Sequence, residues 1–66
     1  MHMNLRAARE ASDKTQKQVA EEAGIAERLY QAYEYGEHDP SGRIIYRIAK
    51  ALGTTVEALY GEEAGD

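Results

Sequence analysis

The segment 15–36, TQKQVAEEAGIAERLYQAYEYG, predicts two short helices joined by a tight turn. Ala20 is small at the point where a second helix would cross the first closely. Gly24 ends the first helix, because glycine takes the left-handed conformation of a C′ position without a Cβ clash. Tyr30 and Tyr33 lie three residues apart, on one face of the second helix. This spacing suits a pair of helices that reads nucleic acid, and equally an ordinary helical hairpin with no such partner.

Length and composition restrict the fold class. A chain of 66 residues allows one domain with one small core. It has no cysteine, so neither a disulfide nor a thiolate zinc site can brace it. Helix-forming residues dominate, Pro40 is the only proline, and no segment alternates apolar and polar residues as a strand would. We therefore expect an all-α fold with no metal and no cofactor.

The charge is distributed unevenly. Twelve acidic and eight basic residues give a net charge of −4. Four of the acids (Glu57, Glu62, Glu63 and Asp66) lie in the last ten residues, which leaves eight acids and eight bases in residues 1–56. The body is thus neutral, whereas a nucleic-acid binder usually carries a basic surface. We interpret residues 62–66 as an acidic tail and residues 1–3 as a vector remnant before a natural start.

Capping residues divide the chain into helices. The pattern predicts five, over residues 5–12, 16–23, 26–35 and 42–52, with a short fifth helix beginning at 54 or 55. Asn4, Thr15 and Ser41 are the expected N-caps of the first, second and fourth helices. Gln18 completes a capping box with Thr15. Ala26 is a poor N-cap for the third helix, so packing has to hold that helix in place.

Four segments in order (TQKQVA, GIAERLYQAYEYG, DPSGRIIYRIAKALG and TTVEALYG) resemble the lambda-repressor-like, or XRE, helix-turn-helix family. The resemblance covers about residues 5–61. It implies a compact five-helix domain, residues 4–61, whose second and third helices form the DNA-reading pair. It also implies a homodimer that binds double-stranded DNA at a palindromic operator. Transcriptional repression in a bacterium or a phage would be the corresponding function.

The same resemblance places the third helix in the major groove, where its outward side chains would read bases. The candidates are Glu27, Arg28, Leu29, Gln31 and Ala32. Arg28 could donate two hydrogen bonds to guanine, and Glu27 could accept one from cytosine. Leu29 or Ala32 could touch a thymine methyl group, whereas Gln31 lies further round the helix. The alternative is that these charged side chains are simply solvated.

Phosphate contacts would position the protein on the duplex without specifying a sequence. The candidates are Gln16 and Lys17, at the N-terminus of the second helix, together with Lys14 and Arg43. Free N–H groups and the helix dipole favour an anion at a helix N-terminus. The loop that follows the third helix departs from the family pattern: residues 37–39 are Glu-His-Asp, where the family often carries a basic residue. Two carboxylates there would weaken binding to phosphates.

Two further groups of residues have expected roles, and the resemblance implies only the first. An arginine of the first helix pairs with a glutamate near the end of the third in such domains, and Arg9 and Glu34 stand at those positions. We assign this pair a structural role. Apolar residues near the C-terminus would form a dimer seam if the core leaves them exposed; they are Val56, Leu59, Tyr60 and Tyr46.

Other classes of function find less support. The sequence has no phosphate-binding glycine loop and no histidine–carboxylate constellation, and His38 is a lone histidine in a loop, so we expect no catalysis. No apolar run approaches the roughly 20 residues of a membrane span, so we expect a cytoplasmic protein. The alternative is a protein-binding module on the same scaffold, antitoxin-like or a co-regulator subunit, for which an exposed Leu29, a neutral body and an acidic tail would be suitable.

Overall fold

The fold was analysed in a computed structural model that describes residues 3–60. The described chain forms five α-helices and no strand. They are α1 (Leu5–Ala11), α2 (Gln16–Ala23), α3 (Glu27–Glu34), α4 (Gly42–Leu52) and α5 (Val56–Tyr60). The all-α, five-helix prediction is confirmed, although α1 is one residue shorter than expected and α3 one residue shorter at each end. The whole of the proposed acidic tail, residues 62–66, and the first two residues lie outside the described part.

Local sequence accounts for two helix starts. The Oγ1 of Thr15 accepts a hydrogen bond from the Gln18 backbone N–H at 3.0 Å. The Oε1 of Gln18 accepts one from the Thr15 backbone N–H at 2.8 Å, which completes the predicted capping box. Ser41 caps α4 through a bond from the Ile44 N–H at 3.3 Å. No side chain caps α3, as expected of Ala26.

The prediction that Asn4 caps α1 is wrong. Asn4 has φ −91° and ψ 46°, outside the extended conformation of most N-caps, and its side chain makes no capping bond. Its backbone N–H instead donates to the Leu59 carbonyl oxygen at 2.7 Å. The start of α1 is therefore set by a contact with α5, which is distant in sequence.

The turn between α2 and α3 depends on Gly24, which has φ 75° and ψ 33°. Only glycine adopts this left-handed conformation without strain. A Cβ atom at this position would also lie 2.5 Å from Nη2 of Arg47. The next backbone N–H, that of Ile25, donates to the Ala20 carbonyl at 3.0 Å and closes the end of α2.

The core lies where α2 packs against both α3 and α4, with α1 against α3 and α5 against α4. Its most completely buried large side chains are Leu5, Val19, Tyr30, Ile48 and Leu59. Burying one such aliphatic side chain contributes about 1.5–3 kcal/mol relative to leaving it exposed. Among residues 3–60, no helix is long and apolar enough to cross a membrane.

Candidate nucleic-acid interface

An ion pair joins α1 to the end of α3. The Nε of Arg9 donates to Oε2 of Glu34 at 2.5 Å, and its Nη2 lies 3.5 Å from Oε1. The Glu34 side chain is 1% exposed and that of Arg9 is 15% exposed. The Nη1 of Arg9 also donates to the Lys14 carbonyl at 3.1 Å. The two residues implied by the resemblance are thus in contact, and the arginine ties α1, α3 and the α1–α2 loop together.

Charge and burial at this pair determine its protonation. The hydrogen bond to Glu34 raises the pKa of Arg9. Burial alone would raise the pKa of the Glu34 carboxyl. The hydrogen bond it accepts from Arg9, the neighbouring Tyr30 hydroxyl and the hydrogen bond from Gln16 together outweigh burial, so its pKa lies below the ordinary value. Burial and the nearby carboxylate raise the pKa of Tyr30. The buried Tyr30 hydroxyl makes no hydrogen bond within the described chain.

A chain of side-chain hydrogen bonds leads from this pair to the outer face of α3. The Nε2 of Gln16 donates to Oε1 of Glu34 at 3.0 Å. The Nε2 of Gln31 donates to Oε1 of Gln16 at 3.2 Å and lies 3.4 Å from Oε2 of Glu27. The sequence analysis missed this chain. The signal available was the spacing of Glu27, Gln31 and Glu34, which places them on neighbouring turns of α3.

The outward face of α3 agrees in part with the predicted base-reading set. Glu27 and Arg28 are exposed, and Leu29 is 37% exposed. The prediction that Ala32 points outward is wrong, because this residue is only 7% exposed. The Glu37 backbone N–H donates to the Ala32 carbonyl at 2.9 Å, which closes the C-terminal end of α3 after the left-handed Gly36.

The loop after α3 shares a surface depression with the exposed part of that helix. The depression is lined by Ala26, Arg28, Leu29, Ala32, Glu37 and His38. Glu37 therefore lines the same depression as the proposed guanine-reading arginine. An acidic group at this place partly offsets the positive charge that Arg28 offers to DNA.

The candidate phosphate contacts fall into two groups. Lys17 and Arg43 are exposed in the first turns of α2 and α4, and Gln16 is half-buried. Lys14, by contrast, is engaged within the chain. Its Nζ lies 2.6 Å from Oε1 of Glu22 and 2.6 Å from the Ala51 carbonyl oxygen. Carbonyls at a helix C-terminus attract cations, so the end of α4 holds this ammonium group.

The expected dimer seam is also only partly present. Tyr46 is 57% exposed, and it lines a surface depression together with Val56. Tyr60 is half-buried. Leu59 is only 1% exposed, so its assignment to the seam is wrong. The reason is that α5 packs against α4 and places Leu59 in the core.

Comparison with known proteins decides the family. A family model described as "Helix-turn-helix" (HTH_3) matches residues 5–59. The chain belongs to the lambda-repressor-like helix-turn-helix family. Similar proteins include the cryptic phage CTXphi transcriptional repressor RstR of Vibrio cholerae, which is 41% identical over 58 residues. That alignment covers 88% of this chain and 52% of RstR.

Two further relatives carry regulator names. The uncharacterized HTH-type transcriptional regulator Rv0474 of Mycobacterium tuberculosis is 34% identical over 56 residues, which are 85% of this chain and 40% of the relative. The uncharacterized HTH-type transcriptional regulator MJ0272 of Methanocaldococcus jannaschii is 33% identical over 46 residues, 70% of each protein. The chain thus spans about half the length of RstR, and less of Rv0474.

Within this helix-turn-helix domain, α2 and α3 are the two helices of the motif and Gly24 is its turn. The chain of hydrogen bonds from Arg9 to Glu27 crosses between the two helices on the side away from that turn. Residues 3–60 contain no group of three or more histidine or acidic side chains placed to hold a metal ion.

Proposed function

We propose that this helix-turn-helix domain binds duplex DNA in a sequence-specific manner and regulates transcription, most simply as a repressor. One observation carries the proposal: the first residue of α2, Gln16, is hydrogen-bonded to both Gln31 and Glu34 of α3. The two helices therefore form one rigid unit that presents exposed side chains of α3. The name of RstR, a phage transcriptional repressor, supports the same function.

In this proposal the N-terminal half of α3 enters the major groove. Arg28 donates two hydrogen bonds to O6 and N7 of guanine. Glu27 accepts from the N4 amino group of cytosine, and Leu29 contacts a thymine methyl group. Ala32 and Lys14 are left out, because one is buried and the other is engaged elsewhere.

Phosphate contacts come from the edges of this surface. Lys17 and Arg43 supply positive charge from the first turns of two helices. Gln16 has one amide hydrogen left after its bond to Glu34, and this hydrogen can reach a phosphate oxygen. Such contacts position the domain without selecting bases.

We further propose that the protein acts in the cytoplasm as a homodimer on a palindromic operator. Tyr46, Val56 and Tyr60 are the apolar side chains of the proposed seam that remain accessible. Two α3 helices about 34 Å apart, one turn of DNA, would then meet successive major grooves. Sedimentation of the wild type and of Tyr46→Ser tests this: the variant should shift towards monomer, and an unchanged profile would place the seam elsewhere.

The primary experiment is a fluorescence-anisotropy titration against a pool of random duplex DNA over a series of salt concentrations. We expect saturable binding. The logarithm of the association constant should fall linearly with the logarithm of salt concentration, because phosphate contacts release counterions. The same pool then yields a preferred site by selection. Absence of binding at low salt would contradict the proposal and favour a protein-binding module, with Glu37 beside Arg28 as the reason.

Two substitutions then separate the roles of basic side chains. Arg28→Ala should weaken binding to the preferred site by about 1–3 kcal/mol and relax selectivity at one base pair. Lys17→Ala should weaken binding to every sequence equally and reduce the salt slope by about one. An equal loss on all sequences with Arg28→Ala would make Arg28 a phosphate contact.

A further inference from the structure

We propose that Gln31 is a positioning residue, which holds the phosphate-contacting Gln16 and the base-reading Glu27 in one fixed arrangement. The direction of its hydrogen bonds is set by the buried carboxylate of Glu34. This inference rests on the proposed function, because it assigns a role in binding to a side chain that need not touch DNA itself.

The direction of the hydrogen bonds begins at Glu34. Its carboxylate is ionised at neutral pH and can only accept hydrogen bonds. The side-chain amide of Gln16 must therefore turn its NH₂ group towards Glu34, at 3.0 Å. The oxygen of the same amide then faces α3, where it requires a donor. The buried acid thus determines which way a half-exposed amide points.

Gln31 provides that donor. Its Nε2 lies 3.2 Å from Oε1 of Gln16 and 3.4 Å from Oε2 of Glu27. An NH₂ group carries two hydrogens, so both bonds can form at once. A single nitrogen therefore sits between a phosphate-contacting residue of α2 and a base-reading residue of α3. Both partners present an oxygen to Gln31, so each of these bonds uses a hydrogen that Gln31 supplies.

This arrangement links the two kinds of DNA contact. Because Gln16 is held at both ends of its amide, its one free N–H points in a fixed direction. Because Glu27 is held by the residue four positions later, its carboxylate does not have to be ordered when DNA binds. Replacement of Gln31 should therefore weaken both the phosphate contact of Gln16 and the base contact of Glu27, although neither of these two residues has been changed.

Two substitutions of Gln31 differ in the chemistry that they remove. Gln31→Met keeps the length and helix propensity but removes the donor. Gln31→Glu places an acceptor against the oxygen of Gln16 and a second negative charge one turn from Glu27. The matched control is Gln18→Met, the same substitution in α2, which breaks the capping box but leaves the bonds between the two helices intact.

The test is a double-substitution cycle in the full chain, measured by anisotropy on the selected site and on a site altered at the base pair that Glu27 reads. Gln31→Met should lower affinity about 3- to 10-fold, the range of one or two lost hydrogen bonds, and reduce discrimination between the sites. The same change should have little effect when Gln16→Met is already present.

Gln31→Glu should bind more weakly than Gln31→Met, and Gln18→Met should leave discrimination unchanged. Independent effects of Gln16→Met and Gln31→Met, or equal losses with Gln18→Met, would overturn the proposal.

A second measurement does not depend on DNA. In nitrogen-15 NMR spectra of the free protein, Gln31→Met should shift the side-chain amide resonances of Gln16 and accelerate their hydrogen exchange. If Gln16 is unaffected while the wild type binds DNA, the positioning role is wrong and the proposed function stands. If the wild type binds no DNA at all, both proposals fail.

Discussion

The two helices of the motif, α2 and α3, are equal in length at eight residues but are stabilised differently. A complete capping box at Thr15 and Gln18 begins α2. No side chain caps α3, which begins after Ala26. In its place, α3 is anchored on its inner face by the buried Tyr30 ring and at its far end by the Glu34 carboxylate. One helix is specified by its own first turn, and the other by contacts with the rest of the domain.

This difference suits the proposed task of α3. A helix held through its inner face and its C-terminal end leaves the outer side chains of its first turn outside the core, although Glu27 also accepts the bond from Gln31. Glu27 and Arg28 can therefore vary with the sequence to be read, without loss of the fold. Consequently, substitutions that disturb the anchor of α3 should have larger effects than those that disturb the cap of α2.

The largest effect is expected from Arg9→Met, which removes the partner of a side chain that is 1% exposed. An unpaired buried carboxylate costs roughly 3–5 kcal/mol. We expect the free energy of unfolding in urea, followed by circular dichroism, to fall by about that amount. Arg6→Met is the matched control, since it removes a surface pair with Glu10 on the same helix and should cost about 0.3–0.5 kcal/mol. Equal losses from the two substitutions would show that the pair does not anchor α3.

A smaller effect is expected on acidification. The pKa of Glu34 is lower in the folded chain than its ordinary value of 4.5, which applies to the unfolded chain. Its stabilising contribution is therefore present above about pH 4.5 and is lost as the pH falls from there through the folded-state pKa. Thermal unfolding of the wild type and of Glu34→Gln, measured from pH 7 to pH 2.5, should show a shallower acid decline in the variant. Parallel declines would assign acid sensitivity to other carboxyls.

A loss of about 1 kcal/mol is expected from Thr15→Ala, because the hydroxyl satisfies the Gln18 backbone N–H. This variant tests whether α2 depends on its own cap. Urea unfolding measures the change, and Ser41→Ala gives the corresponding value for α4. If Thr15→Ala costs as much as Arg9→Met, the contrast between the two helices does not hold.

The smallest change is a gain. Ala26 already has the extended conformation of an N-cap, with φ −68° and ψ 143°, and lacks only a side-chain acceptor. We expect Ala26→Ser to raise the free energy of unfolding by about 0.5–1 kcal/mol. A rise in the melting temperature would show that a side-chain cap can be added at the start of α3. A fall would mean that the depression beside Arg28 has no room for the hydroxyl.

Features determined within one turn of helix were predictable from sequence. The capping box at Thr15, the cap at Ser41 and the left-handed Gly24 each depend on residues no more than four positions away. The absence of a side-chain cap at Ala26 was equally predictable from the sequence. For this reason all five helices were expected within one or two residues of their observed ends.

Features that depend on distant parts of the chain were not predictable in the same way. Asn4 is a good cap by composition, but its backbone, bonded to Leu59, lies outside the extended conformation of most N-caps. Lys14 looked free, but its ammonium group lies against the Ala51 carbonyl, 37 residues away. Ala32 had an outward position on an isolated helix, but in the folded chain it is only 7% exposed. Each error comes from a contact that helix periodicity does not encode.

At the candidate site the same limit applies to Gln31. Its position on α3 suggested that it lies further round the helix than the other candidates, and its side chain is half-buried. What periodicity could not supply is the amide of Gln16, which lies 15 residues earlier and faces it across the motif. The exposed set of Glu27, Arg28 and Leu29 was visible from spacing, whereas the contacts that position this set required the packing of two helices.

The bond between the Asn4 N–H and the Leu59 carbonyl, 2.7 Å long, brings the two ends of the described chain side by side. Because the two ends are adjacent, the same packing of helices is compatible with a chain that begins at another residue. A circularly permuted gene could join residue 60 to residue 4 through a short glycine–serine linker and open the exposed loop at 36–39. In such a chain α4 would be the first helix and α3 the last. The two helices of the motif would then lie at the C-terminal end of the sequence, with their mutual contacts unchanged.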